Sequence, residues 1–286
     1  MNCLFASDLH GVGTRYHKLW DHIQAVRPQA VFLGGDLLPH AFADQKDHAG
    51  PGSDFILDFM ARGFTEIKES LGSEYPDVFL ILGNDDPRLN EETMVQGEKN
   101  ELWFYAHNRC LTLGAQRVFG YSHVPPSPFL LKDWEKFDVS RFVDPGCVSP
   151  EEGYRSVTLP QHEIRYSTIA EDLDDLAGNS ELAKDIFLFH APPYGTHLDR
   201  AALDGKFIDH VPLDVHVGSI AIKRFIESRQ PRITLHGHIH ESARLTGSWL
   251  QKIGATHAFS AAHDGPELAL IQFDSQNPSR ADRVLL

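Results

Sequence analysis

Short apolar runs, each closed within a few residues by an acid, an amide or a histidine, recur along the chain. The runs cover residues 4–6, 30–33, 78–82, 186–189 and 233–235. Runs of this length are typical of buried β-strands. Stretches with helical spacing occupy 16–26, 55–67, 168–185 and 219–228. Further strands are predicted at 117–121 and at 268–273, the second of which would be the last strand. The alternation predicts an α/β architecture.

The polar residues that close the five runs predict a functional site. They are Asp8 and His10, Asp36, Asn84, His190, and His238 and His240. In open α/β sheets, ligands bind beyond the carboxyl ends of the strands, which is where these residues would lie. Residues two apart in an extended segment point to one side. Asp8 with His10, and His238 with His240, can therefore each present two groups together.

The chemistry of these side chains favours transition metals. They offer imidazole, carboxylate and amide groups without a thiolate, and they outnumber the four ligands of a closed structural zinc site. Such groups suit two divalent transition ions, with Mn, Fe and Zn as the candidates. Paired metals about 3.5–4 Å apart serve in-line displacement at phosphorus. One carboxylate would then bridge the ions, and a bridging hydroxide would attack.

Five segments, taken in order, resemble the motifs of the calcineurin-like metallophosphoesterase superfamily. They are Asp8-Leu9-His10, Gly34-Gly35-Asp36, Gly83-Asn84-Asp85-Asp86, His190 and Gly237-His238-Ile239-His240. The resemblance implies a four-layer αββα sandwich, in which two mixed sheets lie between helices. The ligands that it implies are Asp8, His10 and His240 for one metal and Asn84, His190 and His238 for the other, with Asp36 as the bridge.

One position departs from the superfamily's pattern. Asp85 stands where the superfamily usually has a histidine that acts near the leaving group. An ionised carboxylate would repel a phosphoryl oxygen, and nearby dications favour the ionised form. Asp85 either faces solvent or a metal-bound water, or serves as the acid, and we favour the first role. Substitute acids are His40, four residues after Asp36, and His197, seven residues after His190.

Charge and composition argue against several partners. Forty acidic residues against 26 Lys and Arg give a formal charge of −14, which opposes binding to nucleic acid and to anionic membranes. No apolar run approaches the ~18 residues of a membrane span. The three cysteines are scattered, and the N-terminus lacks the pattern of a secretory signal. We therefore expect no disulfide framework and a cytoplasmic location.

These observations predict a dinuclear-metal phosphoesterase that hydrolyses a small phosphodiester or phosphomonoester. The alternative is a non-catalytic protein-interaction scaffold on the same fold. A retromer subunit that resembles the superfamily and lacks its catalytic histidine is such a scaffold. An exposed apolar patch would favour this alternative.

We expect a single domain over residues 1–286, with an irregular loop or cap at 123–160 near the site. Prolines at 125, 126 and 128 break helical structure there. The aromatic residues of this segment either line a substrate pocket or pack the segment onto the domain, and we favour packing. They are Phe129, Trp134, Phe137 and Phe142.

Overall fold

The computed structural model describes residues 1–39 and 54–286. The strands are β1 (Asn2–Ala6), β2 (Ala30–Gly34), β3 (Asp77–Ile81), β4 (Phe104–Tyr105), β5 (Arg109–Leu113), β6 (Gln116–Tyr121), β7 (Ile186–Phe189), β8 (Phe207–Ile208), β9 (Val211–Pro212), β10 (Ile233–His236), β11 (Leu250–Ile253), β12 (Thr256–Ser260), β13 (Ala269–Asp274) and β14 (Asn277–Leu285). The helices are α1 (Gly13–Val26), α2 (Arg62–Leu71), α3 (Glu91–Lys99), α4 (Gln161–Tyr166), α5 (Ile169–Ala177), α6 (Ile220–Arg229) and α7 (Ser242–Thr246). A π-helical turn at Phe55–Ala61 leads into α2. None of these helices has both the length and the apolar character that crossing a membrane requires.

Within the described residues, the strands form two mixed sheets of six. The first has the order β14-β13-β1-β2-β3-β4 and the second the order β11-β12-β10-β7-β6-β5. Strands β1 to β4 run parallel, as do β6, β7, β10 and β12. The remaining strands of each sheet pair antiparallel. The short β8–β9 hairpin forms a separate pair.

Three apolar layers hold the sheets and helices together. Alternate residues of a strand face opposite sides, so Leu4 packs with α1 and α2 while its neighbour Phe5 packs against the second sheet. The far face of the second sheet, including Phe187, packs on α5 and α6. The order is helices, sheet, sheet, helices. This arrangement confirms the predicted αββα sandwich.

Two sequence predictions of the elements were wrong in detail. The helix predicted over 168–185 ends at Ala177, because Gly178 adopts a positive φ of 51° and closes it. The helix begins at a capping box, in which Thr168 and Glu171 each accept from the other's backbone N–H. The strand predicted at 268–273 is also not the last, since β14 returns antiparallel to it.

The segment 123–160, called the cap below, contains only isolated β-bridges rather than strands or helices. Trp134 and Phe137 are buried, which agrees with the favoured packing role. Phe129 and Phe142 are 56% and 69% exposed, so packing does not account for them. An ion pair between Lys132 and Glu135, both fully buried, braces the segment from inside.

Candidate metal centre

The carboxyl ends of five parallel strands meet at one edge of the sandwich. Strands β1, β2 and β3 are neighbours in the first sheet, and β7 and β10 are neighbours in the second. Backbone hydrogen bonds continue past the strand ends: Asp8 donates to Gly35, and His10 donates to Asp36. Across the second sheet, Gly237 donates to the carbonyl of His190. The edge is therefore a continuous surface on which residues from distant parts of the chain lie together.

The first group of candidate ligands is Asp8, His10, Asp36 and His240. One potential ligand atom of each lies within 4.8 Å of those of the others. Nε2 of His10 is 3.1 Å from Nε2 of His240, and Nε2 of His240 is 3.4 Å from Oδ1 of Asp8. Four nitrogen and oxygen donors converging in this way fit a divalent transition ion.

The second group is Asp36, His190 and His238, again with ligand atoms within 4.8 Å of one another. Nε2 of His190 lies 3.2 Å from Oδ2 of Asp36 and 3.0 Å from Oδ1 of Asn84. Nδ1 of His190 donates to the carbonyl of Gly34 at 2.7 Å, which directs Nε2 toward the site. Asp36 belongs to both groups, as expected of a bridging carboxylate.

The backbone around these residues is tightly constrained. Asp8, His10, Asp36 and His238 all have positive φ, between 47° and 74°. Non-glycine residues rarely adopt this conformation outside over-determined sites. A side chain at position 83 would collide with Oδ1 and the backbone nitrogen of Asp36, which explains why a glycine precedes Asn84.

The charges of the buried groups are coupled. Burial opposes ionisation of Asp36, but the neighbouring His190 holds the pKa of that carboxyl far below its usual range. Burial likewise opposes a charge on His190, and Asp36 raises its pKa to about 10. For His240, Asp8 outweighs burial and raises the pKa to about 9. Burial, with the charge of His190, lowers the pKa of His238 to about 3. The carboxylates of Asp8 and Asp36 therefore stabilise positive charge beside them, at the places where the two ligand groups would hold cations.

Asp86 is a residue whose role in the site was missed from the sequence. Its buried carboxylate accepts hydrogen bonds from the backbone of Leu37, Leu38 and Gly83, at 3.0, 2.7 and 2.9 Å. These bonds tie the loop that carries Asp36 to the loop that carries Asn84. The only sequence signal is its place in the segment Gly83-Asn84-Asp85-Asp86, because two of the three partners of the carboxylate, Leu37 and Leu38, come from a different loop.

The three candidate acids have different surroundings. The backbone N–H of Asp85 donates to Oδ1 of Asp36 at 2.8 Å, and Oδ2 of Asp85 is 3.9 Å from Nδ1 of His10. Asp85 therefore lies at the site. His197 is exposed, belongs to neither ligand group, and its backbone N–H donates to the side chain of Gln251. His40 lies outside the described residues.

Comparisons with known proteins agree with this geometry. The family model for calcineurin-like phosphoesterases matches residues 1–242. No curated protein sequence matches the chain. TT1561 of Thermus thermophilus is similar in structure, with a TM-score of 0.55 and 16% identity over 99% of this chain and 98% of that one. A dimetal phosphatase from Danio rerio is similar in structure as well, with a TM-score of 0.51 and 12% sequence identity. The match covers 100% of this chain and 98% of that one. Identities this low show a shared fold alone.

Proposed function

The chain belongs to the calcineurin-like phosphoesterase family, and we propose that it hydrolyses a small phosphodiester or phosphomonoester with two bound divalent metal ions. The observation that carries the proposal is the position of Asp36. Its carboxylate is common to both ligand groups, and both groups offer only nitrogen and oxygen donors. When bound, two such ions would activate water and stabilise charge that develops on the phosphoryl oxygens.

The side chains at the edge have separate tasks in this proposal. Asp8, His10 and His240 hold one ion, and Asn84, His190 and His238 hold the other, with Asp36 between them. The ions would be Mn, Fe or Zn, because imidazole and carboxylate ligands suit these metals. The backbone N–H of Asp85 holds Oδ1 of Asp36 in place. The carbonyl of Gly34 holds the ring of His190.

We propose that Asp85 donates a proton to the leaving group poorly or not at all. Asp85, His40 and His197 remain the candidates. An ionised Asp85 beside Asp36 and near His10 can orient neighbours, but it has no proton to give. Hydrolysis would then depend on how stable the leaving oxygen is as an anion.

We also propose that the protein acts in the cytoplasm on small molecules, without nucleic acid or membrane as partners. The cysteines Cys3, Cys110 and Cys147 are all free, which suits a reducing compartment. The formal charge of −14 supports a small substrate over a polyanionic one.

A metal titration combined with turnover tests the proposal. The protein loaded separately with Mn, Fe and Zn should hold about two ions per chain and hydrolyse bis-p-nitrophenyl phosphate or p-nitrophenyl phosphate. His190→Ala should hold about one, because the second group loses a buried ligand. His197→Ala, which alters an exposed histidine outside both groups, is the control and should hold two. Unchanged metal content in His190→Ala would remove this residue from the ligand set.

A protein-interaction scaffold is the second candidate function. The observation in its favour is a set of exposed apolar side chains in and beside the cap: Phe129, Leu130, Phe142, Tyr154 and Tyr166. Leu130 and Tyr154 adjoin, since the N–H of Tyr154 donates to the carbonyl of Leu130. Full metal loading without turnover of any phosphoester would favour the scaffold.

A further inference from the structure

The carboxamide of Asn84 lies between two polar side chains. Its Oδ1 is 3.0 Å from Nε2 of His190, and its Nδ2 donates to Oδ1 of Asp85 at 3.0 Å. Asn84 is only 3% exposed, so protein groups rather than bulk water surround the amide. Which end of the amide faces the second ligand group therefore depends on the partner at each end.

The orientation of this amide decides whether Asn84 can bind a cation. The amide oxygen carries lone pairs that a metal ion can share, whereas the NH₂ group only donates hydrogen bonds. A half-turn about the bond between Cβ and Cγ would exchange the two ends with little change in shape. Asn84 is therefore a ligand only while its oxygen is turned toward the second group.

The two partners differ in which end of the amide they select. Nε2 of an imidazole can be a donor or an acceptor, so His190 is compatible with either end. An ionised carboxylate only accepts hydrogen bonds. Asp85 therefore attracts the NH₂ group of Asn84 and repels its oxygen, and the selection between the two orientations comes from Asp85.

The neighbouring acids hold other donors. Asp86 receives three backbone hydrogen bonds. Oδ1 of Asp36 accepts from the backbone of Asp85, and Oδ2 lies 3.2 Å from Nε2 of His190. Among residues 1–39 and 54–286, Nδ2 of Asn84 donates to Asp85 alone. Its orientation thus depends on one carboxylate.

Asp85 is itself fixed against the carboxylate that the two ligand groups share. Its backbone N–H donates to Oδ1 of Asp36 at 2.8 Å. Its Oδ2 lies 3.9 Å from Nδ1 of His10, which is too long for a hydrogen bond. Asp85 therefore borders a member of the first group, the shared carboxylate and, through Asn84, the second group.

We propose that Asp85 is a positioning residue, which keeps Oδ1 of Asn84 turned toward the second ligand group and so makes Asn84 a ligand. The inference rests on the proposed function, because it concerns the cation that this group would hold. It assigns to Asp85 a task that requires an acceptor oxygen and no proton. Groups that orient metal ligands in this way typically change metal affinity 10–100-fold when they are lost.

Asp85→Leu and Asp85→Asn separate the acceptor from the charge. Both substitutions remove the negative charge, but the amide of Asp85→Asn keeps an oxygen that can accept from Asn84. The side chain of Asp85 is 29% exposed, so one of similar size fits there, and Asp85→Ala repeats the test with a smaller one. Chelator-treated protein is titrated with Mn²⁺ by calorimetry. Asp85→Leu should bind the ion of the second group about tenfold more weakly than Asp85→Asn, and the two variants should bind the ion of the first group equally.

His190→Ala shows to which ligand group the effect belongs. This substitution removes a ligand of the second group, so the ion that remains lies in the first. In that background, Asp85→Leu and Asp85→Asn should bind Mn²⁺ equally. A difference that persists there, or equal binding of both ions by the two variants when His190 is present, would overturn the positioning role.

Hydrogen exchange gives a readout that needs neither metal nor turnover. In chelator-treated protein, NMR identifies the carboxamide protons of Asn84 by their absence in Asn84→Asp. They should exchange with water about tenfold faster in Asp85→Leu than in the wild type and Asp85→Asn, because they lose their acceptor. Equal exchange in these three proteins would reject the positioning role. Absence of turnover or of metal binding, with this difference intact, would reject only the proposed function.

Discussion

The ligand-bearing edge and the cap hold their side chains by different means. At the edge, parallel strands fix Asp8, Asp36 and Asn84 through main-chain pairing that continues into the loops. In the cap, isolated bridges and side-chain contacts fix Trp134 and its neighbours. The edge presents carboxylates and imidazoles that could hold cations, whereas the cap exposes apolar side chains such as Phe129 and Phe142. The position of a residue at the edge is therefore set by the backbone, and that of a residue in the cap by the packing of its side chain.

Asp36→Asn should have the largest effect, because it removes the negative charge that both ligand groups share. We expect kcat to fall on the order of a thousandfold, since metal stabilisation of a transition state is worth several kcal/mol. Metal content should fall below two per chain while circular dichroism stays unchanged. Asp175→Asn, at an exposed position of α5, is the matched control. Full activity in Asp36→Asn would show that the edge does not work through a shared carboxylate.

Asp85→His tests whether position 85 supplies a proton to the leaving oxygen. In the wild type, log kcat/KM should fall steeply as the pKa of the leaving group rises, so aryl esters are hydrolysed far better than alkyl esters. General acid catalysis is worth about 10²–10⁴-fold, and Asp85→His should raise alkyl rates toward the lower end of that range. Asp85→Asn should leave the slope as it is.

A large loss in Asp85→Asn confined to alkyl esters would instead make Asp85 the acid. A shallow wild-type slope that Asp85→Asn does not change would point to His40 or His197.

Asp86→Asn tests the tie between the two ligand loops. Three backbone N–H groups share its carboxylate, and an amide would present its own N–H₂ to one of them. We expect a loss of about 1–3 kcal/mol in the free energy of unfolding. Turnover should fall about 10–100-fold, as when a residue that orients metal ligands is lost. Urea unfolding measures the loss of stability, and kcat measures the loss of turnover. A variant as stable and as active as the wild type would show that the hydrogen bonds of Asp86 do not hold the two ligand loops together.

The smallest effects should separate the two kinds of aromatic residue in the cap. Trp134→Phe removes the hydrogen bond to Asp86 and part of a buried ring, and should cost about 1–3 kcal/mol in unfolding free energy. Phe142→Ser changes an exposed side chain and should stay within about 0.5 kcal/mol. Equal losses in the two variants would mean that Phe142 packs in solution.

Local patterns predicted the α/β architecture, and the resemblance of five motifs to a family implied the sandwich. Strands β1, β2, β3, β7 and β10 lie where short apolar runs predicted them, because a strand buried on both faces leaves a continuous apolar run. The family match over residues 1–242 confirms the resemblance drawn from five motifs. The ligand assignment and the single domain remain predictions, although the structure brings the predicted ligands together.

By itself, the sequence determined the five strands that lead into the candidate ligands, the residue types at their ends and hence the candidate metal chemistry, because backbone periodicity and ligand identity are local properties. The tertiary structure alone decided the hydrogen bonds from Leu37 and Leu38 to Asp86 and the packing of Trp134 against His107 and His123. Trp134 reaches Asp86 across 48 positions of the chain. Contacts of that separation depend on how the layers pack, and no spacing of residues along the chain encodes them.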